Sequence, residues 1–478
     1  MQAPMSQDKL HENIELVKTL LNKQKLVENL VHSQMTPQHE LVESIVHRQH
    51  LAELEKKLRG LHIADLAYIL EVLPPSDRSR IWEIIRYERG GDILLEVSNT
   101  IRENLIEDMT HTELLKVLSP LDGDDLSYIA EDIPPAVLQQ CLENLTHDDQ
   151  AWLRTTLNYD EDKIGHLMTK EMVVGHEYQT LAEIAQQLRA LTTLPSHNDK
   201  VFIVDSRGLL RGALTLQSIL LSAPDKTAGA VMATDIVKFS PDDDASEASK
   251  AFERYDLVSA PVINQRGKLI GRLTVDIVMD YIREESTDEV LTMAGLGGEE
   301  DIFAPLLDSA RNRGVWLLVN LCSAFVASRV IGAFENTLLQ LVSLAALMPI
   351  VASVGGNSGN QTTALIIRGL SLGQITSHNT RHLFRKELGV GLVNGVTLGF
   401  LVGLFALIIY HNFELSVVIA IAMVLTLLIA AILGVTVPII LNKTGRDPAL
   451  GSSVIQTATT DSVGFLIFLS LASVFLVK

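Results

Sequence analysis

Polar and apolar positions change their pattern near Val315. Beyond it, apolar residues fill stretches at about 315–334, 337–367, 388–410, 415–441 and 453–477. Each stretch is long enough, at ~1.5 Å per helical residue, to cross a ~30 Å hydrocarbon core. Ahead of Val315 the apolar positions fall in short amphipathic segments. There "DLAYILEVLPPS" (65–76) returns as "DLSYIAEDIPPA" (125–136), offset by 60 residues with seven of twelve identical. Repeated helix–turn units predict a small superhelical bundle over residues 1–160. A second repeat follows. "GHLMTKEMV" (165–173) pairs with "GAVMATDIV" (229–237), and "VDSRGLLRGALT" (204–215) with "INQRGKLIGRLT" (263–274). β-rich runs around an Arg-Gly turn, each ending in an amphipathic helix, predict a paired α/β module over residues 161–283. Residues 284–314 read as a connecting helix and linker, and 315–478 as a five-helix transmembrane domain.

The N-terminal "MQAPMSQDKLHENIEL" has no apolar signal-peptide core, so the front region is expected in the cytoplasm. Five crossings then put the C-terminus outside. The loops agree with this topology. Arg368, Arg381, Arg385 and Lys386 lie between the second and third stretches, and Lys443 and Arg446 between the fourth and fifth. The intervening turns "FENT" and "HNFEL" hold no Lys or Arg, the asymmetry of a positive-inside protein.

Charge sharpens the division. Of 58 acidic and 39 basic residues, 5 and 8 lie from Val315 onward, which leaves the front at about −22 and the rear at about +3. An acidic front argues against nucleic acid as a partner and suits cations. Cys141 and Cys322 are the only cysteines, so no disulfide framework is expected.

Within the membrane part, Gly391, Gly395, Gly399 and Gly403 lay a bare strip along the third helix and predict close helix packing. In the fifth, Ser453, Thr457, Thr460, Asp461 and Gly464 fall at helical spacing on one face. An ionisable residue eight positions into that helix costs at least ~2.5–3.5 kcal/mol to insert, so Asp461 should face a bundle interior or water. The second helix carries the polar patch Gly355-Gly-Asn-Ser-Gly-Asn-Gln361. Its Gly356-Asn-Ser-Gly359 matches the GxSG of rhomboid-type intramembrane serine peptidases, which need a base beside the serine. His378, His382 and His411 lie in loops and Lys386, Lys443 and Lys478 at membrane edges, so an enzyme is not expected. Two readings of the patch remain: a broken or thinned helix lining water, or a tight small-residue crossing.

The connecting segment "VDIVMDYIREESTDEV" sets Asp276 and Asp280 one turn apart, and Glu285 near Asp288 and Glu289. Asp242, Asp243, Asp244 and Asp256 add acids to the same module. Such oxygen ligands suit hard divalent ions, although solvated acidic faces would read the same way.

Together the repeats with "EESTDEVLTMAGL", "RNRGVWLLVNL", "MPIVASVGGNSGNQTTALIIRGL" and "DPALG…TTDSVGF" resemble the MgtE family of magnesium transporters across nearly the whole chain. The resemblance implies a helical N-domain, a tandem cystathionine-β-synthase-type (CBS) pair, and a homodimeric Mg2+ channel of the cell membrane. Its pore would be lined by the second and fifth helices and closed by cytosolic Mg2+. Asp461 is then the pore carboxylate, with Thr457, Asn357 and Asn360 beside it and Asp447 near the cytoplasmic mouth. The implied sensor positions are Asp244, Asp256, Asp276, Asp280, Glu285, Asp288 and Glu289, with Asp124 in the N-domain. Three departures stand out. Val454 replaces a frequent proline, and Ile277 and Ser246 replace frequent acids. CBS modules that hold adenosine nucleotides, ATP among them, usually place an Asp three residues after a threonine, where this chain has Ser218 and Ile277. The alternatives are a broader transporter of Co2+, Mn2+ or Ni2+, and a membrane Mg2+ sensor that does not conduct.

Overall fold

Each Pro-Pro pair of the first repeat starts a helix. Pro75 and Pro135 take the first helical position, where the missing N–H would have no partner in any case. The structure, a computed structural model, describes residues 7–32, 52, 54–296, 302–376 and 378–477. It divides into two units, Met1–Arg283 with Asp301–Phe303, and Glu284–Glu300 with Ala304–Lys478.

The first unit begins with helices α1 (Gln7–His32), α2 (Ile63–Val72), α3 (Pro75–Glu96) and α4 (Asn99–Glu107). Then follow α5 (His111–Leu118), α6 (Gly123–Tyr128), α7 (Pro135–Asn144) and α8 (His147–Thr156). The repeat occupies α2–α3 and α6–α7. Their apolar faces close over one core that contains Leu66, Ile69, Leu70, Ile81 and Trp82. Two guanidinium groups inside the bundle cap carbonyls eight residues back: Arg78 Nε donates to Leu70 O, and Arg102 to Leu94 O. Arg102 also pairs with Asp132, so neither charge lies buried without acceptors.

The α/β part runs α9 (Ile164–Leu167), β1 (Val174–His176), α10 (Leu181–Ala190), β2 (Lys200–Val204), β3 (Leu210–Thr215) and α11 (Leu216–Leu221). Its second half is α12 (Ala228–Val231), α13 (Ala245–Tyr255), β4 (Ser259–Ile263) and β5 (Leu269–Thr274). β1 lies parallel to β2, and β2–β3 and β4–β5 are antiparallel hairpins with a bulge at equivalent places, Ile203/Val204 and Val262/Ile263. The Arg-Gly turns are built alike. Asp205 Oδ1 and Asn264 Oδ1 each accept from two backbone amides, and Gly208 and Gly267 take φ of +79° and +78°, which favours glycine. Each half completes the other. Thr169, from the first leading segment, bridges to Arg272 of the second hairpin, and Ala233, from the second, bridges to Ala213 of the first. That exchange explains why the repeat occurs as a pair.

Helix α14 (Val275–Met293) is shared by the two units. The second unit continues with α15 (Leu306–Gly332), α16 (Glu335–Gln340), α17 (Ser343–Ser371), α18 (Thr380–Tyr410), α19 (Phe413–Lys443) and α20 (Ser452–Phe475). Four of these, α15, α18, α19 and α20, are long and apolar enough to cross a membrane. Helix α17 has 29 residues but is not among these four, where the sequence predicts five crossings. The broken helix allowed for at Gly355–Gln361 does not form. Helix α17 is continuous through the patch.

The glycine strip of α18 packs against α19 as its spacing predicts. A methyl group at Gly391, Gly395, Gly399 or Gly403 would lie 2.7–3.1 Å from backbone atoms or Cβ of Leu427, Ala431, Val424, Ala420 or Ser416. Backbone cannot yield as a side-chain tip does. Gly399→Val should therefore lower the melting midpoint of detergent-solubilised protein, by the equivalent of about 1–3 kcal/mol of overpacking. An unchanged midpoint would contradict this packing.

Candidate functional site on two adjacent helices

Glycines in α17 bring it against α19 and α20. At Gly355 a methyl group would meet Thr426 Cγ2 at 2.7 Å and Thr460 Cγ2 at 3.1 Å, and at Gly359 it would overlap the Gln456 amide. Gly434 on α19 closes the same crossing from the other side, where a methyl group would lie 2.9 Å from Gly359 O. The small-residue crossing is thus the reading that holds for Gly355 and Gly359.

Gly356 points elsewhere. A methyl group there would be 3.8 Å from Asp461 Oδ1 and 3.9 Å from Thr457 Cγ2. One turn on, Asn360 Nδ2 donates to Thr457 Oγ1 at 3.4 Å, while Asn360 Oδ1 is buried without a partner. Asp461 is half-buried and has no hydrogen-bond or ion-pair partner among the described residues. These three polar side chains therefore share one face across α17 and α20, beside Gly356, which puts no side chain between them.

The stripe expected on α20 separates into two faces. Gln456, Thr460 and Gly464 are buried against α17 and α19, and Ser453, Thr457 and Asp461 stand half-exposed beside them. Asn357 is exposed, away from the Asn360–Thr457 contact. Asp447 is exposed as well. Its Oδ1 accepts from Ala449 N at 2.8 Å, which shapes the turn before α20. From Ser452 to Asp461 the helix alone rises ~14 Å, so Asp447 and Asp461 cannot act on one ion together.

Two residues of this unit were missed in the sequence. Gln456 is fully buried; a long polar residue inside an apolar helix was the available signal. Glu387 is 4 % exposed, accepts from Thr362 Oγ1 at 3.3 Å and pairs with Lys386 at 2.9 Å. Its basic neighbour made it look like a loop-edge acid.

The end of α14 touches both helices of the polar face. Glu289 accepts from the Ser371 hydroxyl at the end of α17, and Met293 O accepts from Ser453 Oγ of α20 at 2.9 Å. Trp316 of α15 covers Gly295 and Gly451, which flank these contacts and take φ of +78°. Glu289, assigned above to the sensor, is engaged as a clasp.

The other acids divide between partnered and crowded. Asp124 accepts from Thr169 Oγ1 at 2.5 Å and Lys170 N at 3.1 Å. Burial raises its carboxyl above the usual range, against those hydrogen bonds. Asp244 pairs with Lys163 at 2.5 Å, and Asp276 meets His197 Nδ1 at 3.2 Å. Asp256 is exposed at the left-handed end of α13. Glu285 is exposed, and Asp288 is half-buried on α14. Asp280 is held above the usual carboxylate range by the surrounding protein, with Arg283 opposing and Asp276 adding a smaller push upward. The same field reaches Glu96 of α3, raised by loss of solvent and then by Asp280. Nothing in the sequence linked Glu96 to Asp280, since the two stand far apart along the chain. Among the described residues, no group of three or more His, Cys, Asp or Glu side chains is arranged to hold a metal.

Asp125, beside Asp124, is pushed up to about 6 by burial and then by Asp122. A carboxyl raised in the folded state stabilises the fold below its unfolded pKa, and that contribution is lost as pH rises through about 6. Asp125→Asn should raise the melting midpoint of the front unit at pH 7.5 and leave it unchanged near pH 4. The gain should be about 1–2 kcal/mol once solvent screening is allowed for. Equal shifts at both pH values would refute this account.

Sequence profiles for three domains match the chain. "Divalent cation transporter" (MgtE) spans residues 348–471, the MgtE intracellular N domain 61–162, and the CBS domain 228–284. The magnesium transporter MgtE of Thermus thermophilus is 28 % identical over 431 residues, 88 % of this chain and 95 % of that protein. The magnesium transporter MgtE of Bacillus subtilis is 25 % identical over 412 residues, 86 % and 91 % of the two chains. Among solved structures, the cytosolic domain of the Mg2+ channel MgtE in complex with ATP covers 50 % of this chain and 98 % of its own. It is 25 % identical, with a TM-score of 0.44.

Proposed function

Because the chain belongs to the MgtE family of divalent cation transporters, we propose that it carries Mg2+ across the cell membrane along the face shared by α17 and α20. The observation that carries this reading is Asp461, a carboxylate without a partner among the described residues on a membrane-length helix, set beside Asn360, Thr457 and Gly356.

Mg2+ dehydrates reluctantly and usually keeps several waters. A path for it needs one centre of negative charge and neutral groups that bind the ion's waters. Asp461 supplies the charge, and the Asn360 amide and the Thr457 hydroxyl supply the dipoles. The face is half-exposed in one chain, which suits a homodimer in which a second copy completes the path and doubles the carboxylate. Membrane lipid then surrounds the remaining apolar surfaces. With the N-terminus in the cytoplasm and the C-terminus outside, as the loop charges favour, the Ser371 and Ser453 ends face the cytosol.

Cytosolic Mg2+ is the regulator in this reading. The acids on and around α14 repel while bare and come together when a divalent ion neutralises them. Helix α14 hands that change to the path through Glu289–Ser371 and Met293–Ser453. Mg2+ must bind the closed arrangement more tightly than the open one for this to work. ATP stays a candidate ligand of the CBS pair in this reading but a disfavoured one, since Ser218 and Ile277 stand where a ribose-binding Asp is usual.

The test is Mg2+ flux into liposomes holding the purified full-length protein, with Co2+, Mn2+ and Ni2+ as competitors. Flux above that of empty vesicles is expected, with Mg2+ preferred. Absence of flux would leave a sensor that does not conduct, and equal flux of all four ions would leave a broad transporter.

A further inference from the structure

Gln456 stands at the place where the three helices of the path meet. Its side chain is fully buried. Its Nε2 donates to Thr460 Oγ1 at 2.9 Å on its own helix and reaches Ala430 O of α19 at 3.4 Å. It lies flat on Gly359 of α17, where a methyl group would overlap Nε2 and come within 2.6 Å of Cδ. One amide therefore spaces α20 from α17 and joins α20 to α19.

That contact sits directly beneath the polar face. Gly359 and Gln456 touch, and the next residue on each helix, Asn360 and Thr457, forms the hydrogen bond of the face. Any change in the separation at Gly359–Gln456 is passed to Asn360–Thr457 through one peptide unit on each side. Asp461 follows four residues after Thr457, ~6 Å up the same helix.

Packing alone does not account for an amide here. Leucine or methionine of similar bulk would cover Gly359 without placing a polar group in an apolar bundle. Gln456 Oε1 is buried with no hydrogen-bond partner, a disadvantage that an apolar side chain would avoid. Thr426 Oγ1, on the helix that holds Gly355 and Gly464 at close range, is unpartnered in the same way. Unpaired buried groups of this kind call for a reason beyond stability.

We propose that Gln456 is a positioning residue that sets the separation of α17 and α20, and through it which hydrated divalent cation the Asn360–Thr457–Asp461 face admits. Recognition through an ion's water shell depends on where a few neutral dipoles stand around one charge. An amide pinned by hydrogen bonds to its own helix and to α19 presents a fixed surface to Gly359 of α17, whereas an apolar side chain there can slide. The proposal rests on the reading that this face lines the ion path.

The experiment compares wild type, Gln456→Met, the pair Gly359→Ala with Gln456→Ser, and Asp461→Ala, each as full-length protein in liposomes. Mg2+ and Mn2+ fluxes and the melting midpoint are read for each. Gln456→Met keeps the length and removes the hydrogen bonds; in the pair, the new methyl group fills the space the shorter side chain vacates. Both are expected to melt close to wild type while the Mg2+ to Mn2+ flux ratio changes by about threefold or more, with selectivity set by dipole placement. A purely structural role would scale both fluxes together. An unchanged ratio in both variants overturns the proposal, and so does loss of folded protein in both. If those ratios are unchanged while Asp461→Ala abolishes flux, the inference fails alone. If Asp461→Ala also conducts as wild type, the ion path itself has been misplaced.

Discussion

Asp461→Ala is expected to reduce Mg2+ flux by about 100-fold or more, because an acidic ring supplies the attraction that concentrates cations in a path of this kind. Fold and flux should separate cleanly in this variant. Asp461 has no partner among the described residues, so its removal breaks no hydrogen bond and leaves no opposite charge unpaired. Removing an ionisable group from a membrane helix also lifts an insertion penalty of ~2.5–3.5 kcal/mol. The variant should therefore express, insert and melt at or above the wild-type midpoint while failing to supply Mg2+ to cells that lack other uptake routes. Growth of such cells at limiting Mg2+, alongside surface expression, makes the measurement. Wild-type growth would reject the assignment of Asp461 to the path. Glu387→Ala offers a contrast, since that carboxylate accepts from Thr362 and pairs with Lys386; its loss should lower the midpoint before it alters ion choice.

The sequence carried the local rules well. The Asp/Asn-x-Arg-Gly turns, the Pro-Pro helix starts and the four-residue glycine period of α18 each follow from one residue type meeting one backbone need. Period and composition say little about which side of a helix meets which neighbour. Ser453, Thr457, Thr460, Asp461 and Gly464 read as one stripe, yet the ~100° between successive residues lets Thr460 and Gly464 turn inward while Asp461 stays at the edge. The polar patch of α17 was equally ambiguous. Glycine permits both unwinding and close approach, and only Gln456 and Thr426, distant in sequence, decide for approach. Acids suffered most from this blindness. Asp124, Asp244 and Glu289 look alike as charges, but each is held by a partner that no spacing rule supplies: Thr169, Lys163 and Ser371.

That sorting of acids bears on the regulatory prediction. Asp280 is a sensor candidate whose burial disfavours a bare negative charge, with Asp276 one turn away and Glu96 in reach of its field. A divalent cation relieves such crowding, so its binding should be strongest where the acids are pressed together and should weaken when they separate. Asp280→Asn with Glu285→Gln and Asp288→Asn removes three of those charges and leaves the α17–α20 face untouched. Flux with little cytosolic Mg2+ should then match wild type, while the Mg2+ concentration for half-inhibition rises by about tenfold, within the 5–150-fold that coupling between sites typically spans. Patch recordings with Mg2+ stepped on the cytosolic side measure both quantities in one membrane. If half-inhibition is unmoved, the acids of α14 are a solvated face and closure is driven elsewhere. A fall in flux at low Mg2+ would show instead that they feed cations to the path. Ser371→Ala separates sensing from transmission: it removes the Glu289 clasp, so inhibition should become incomplete at saturating Mg2+ while the concentration dependence stays near wild type, because the ion is still bound and only the link from α14 to α17 is lost.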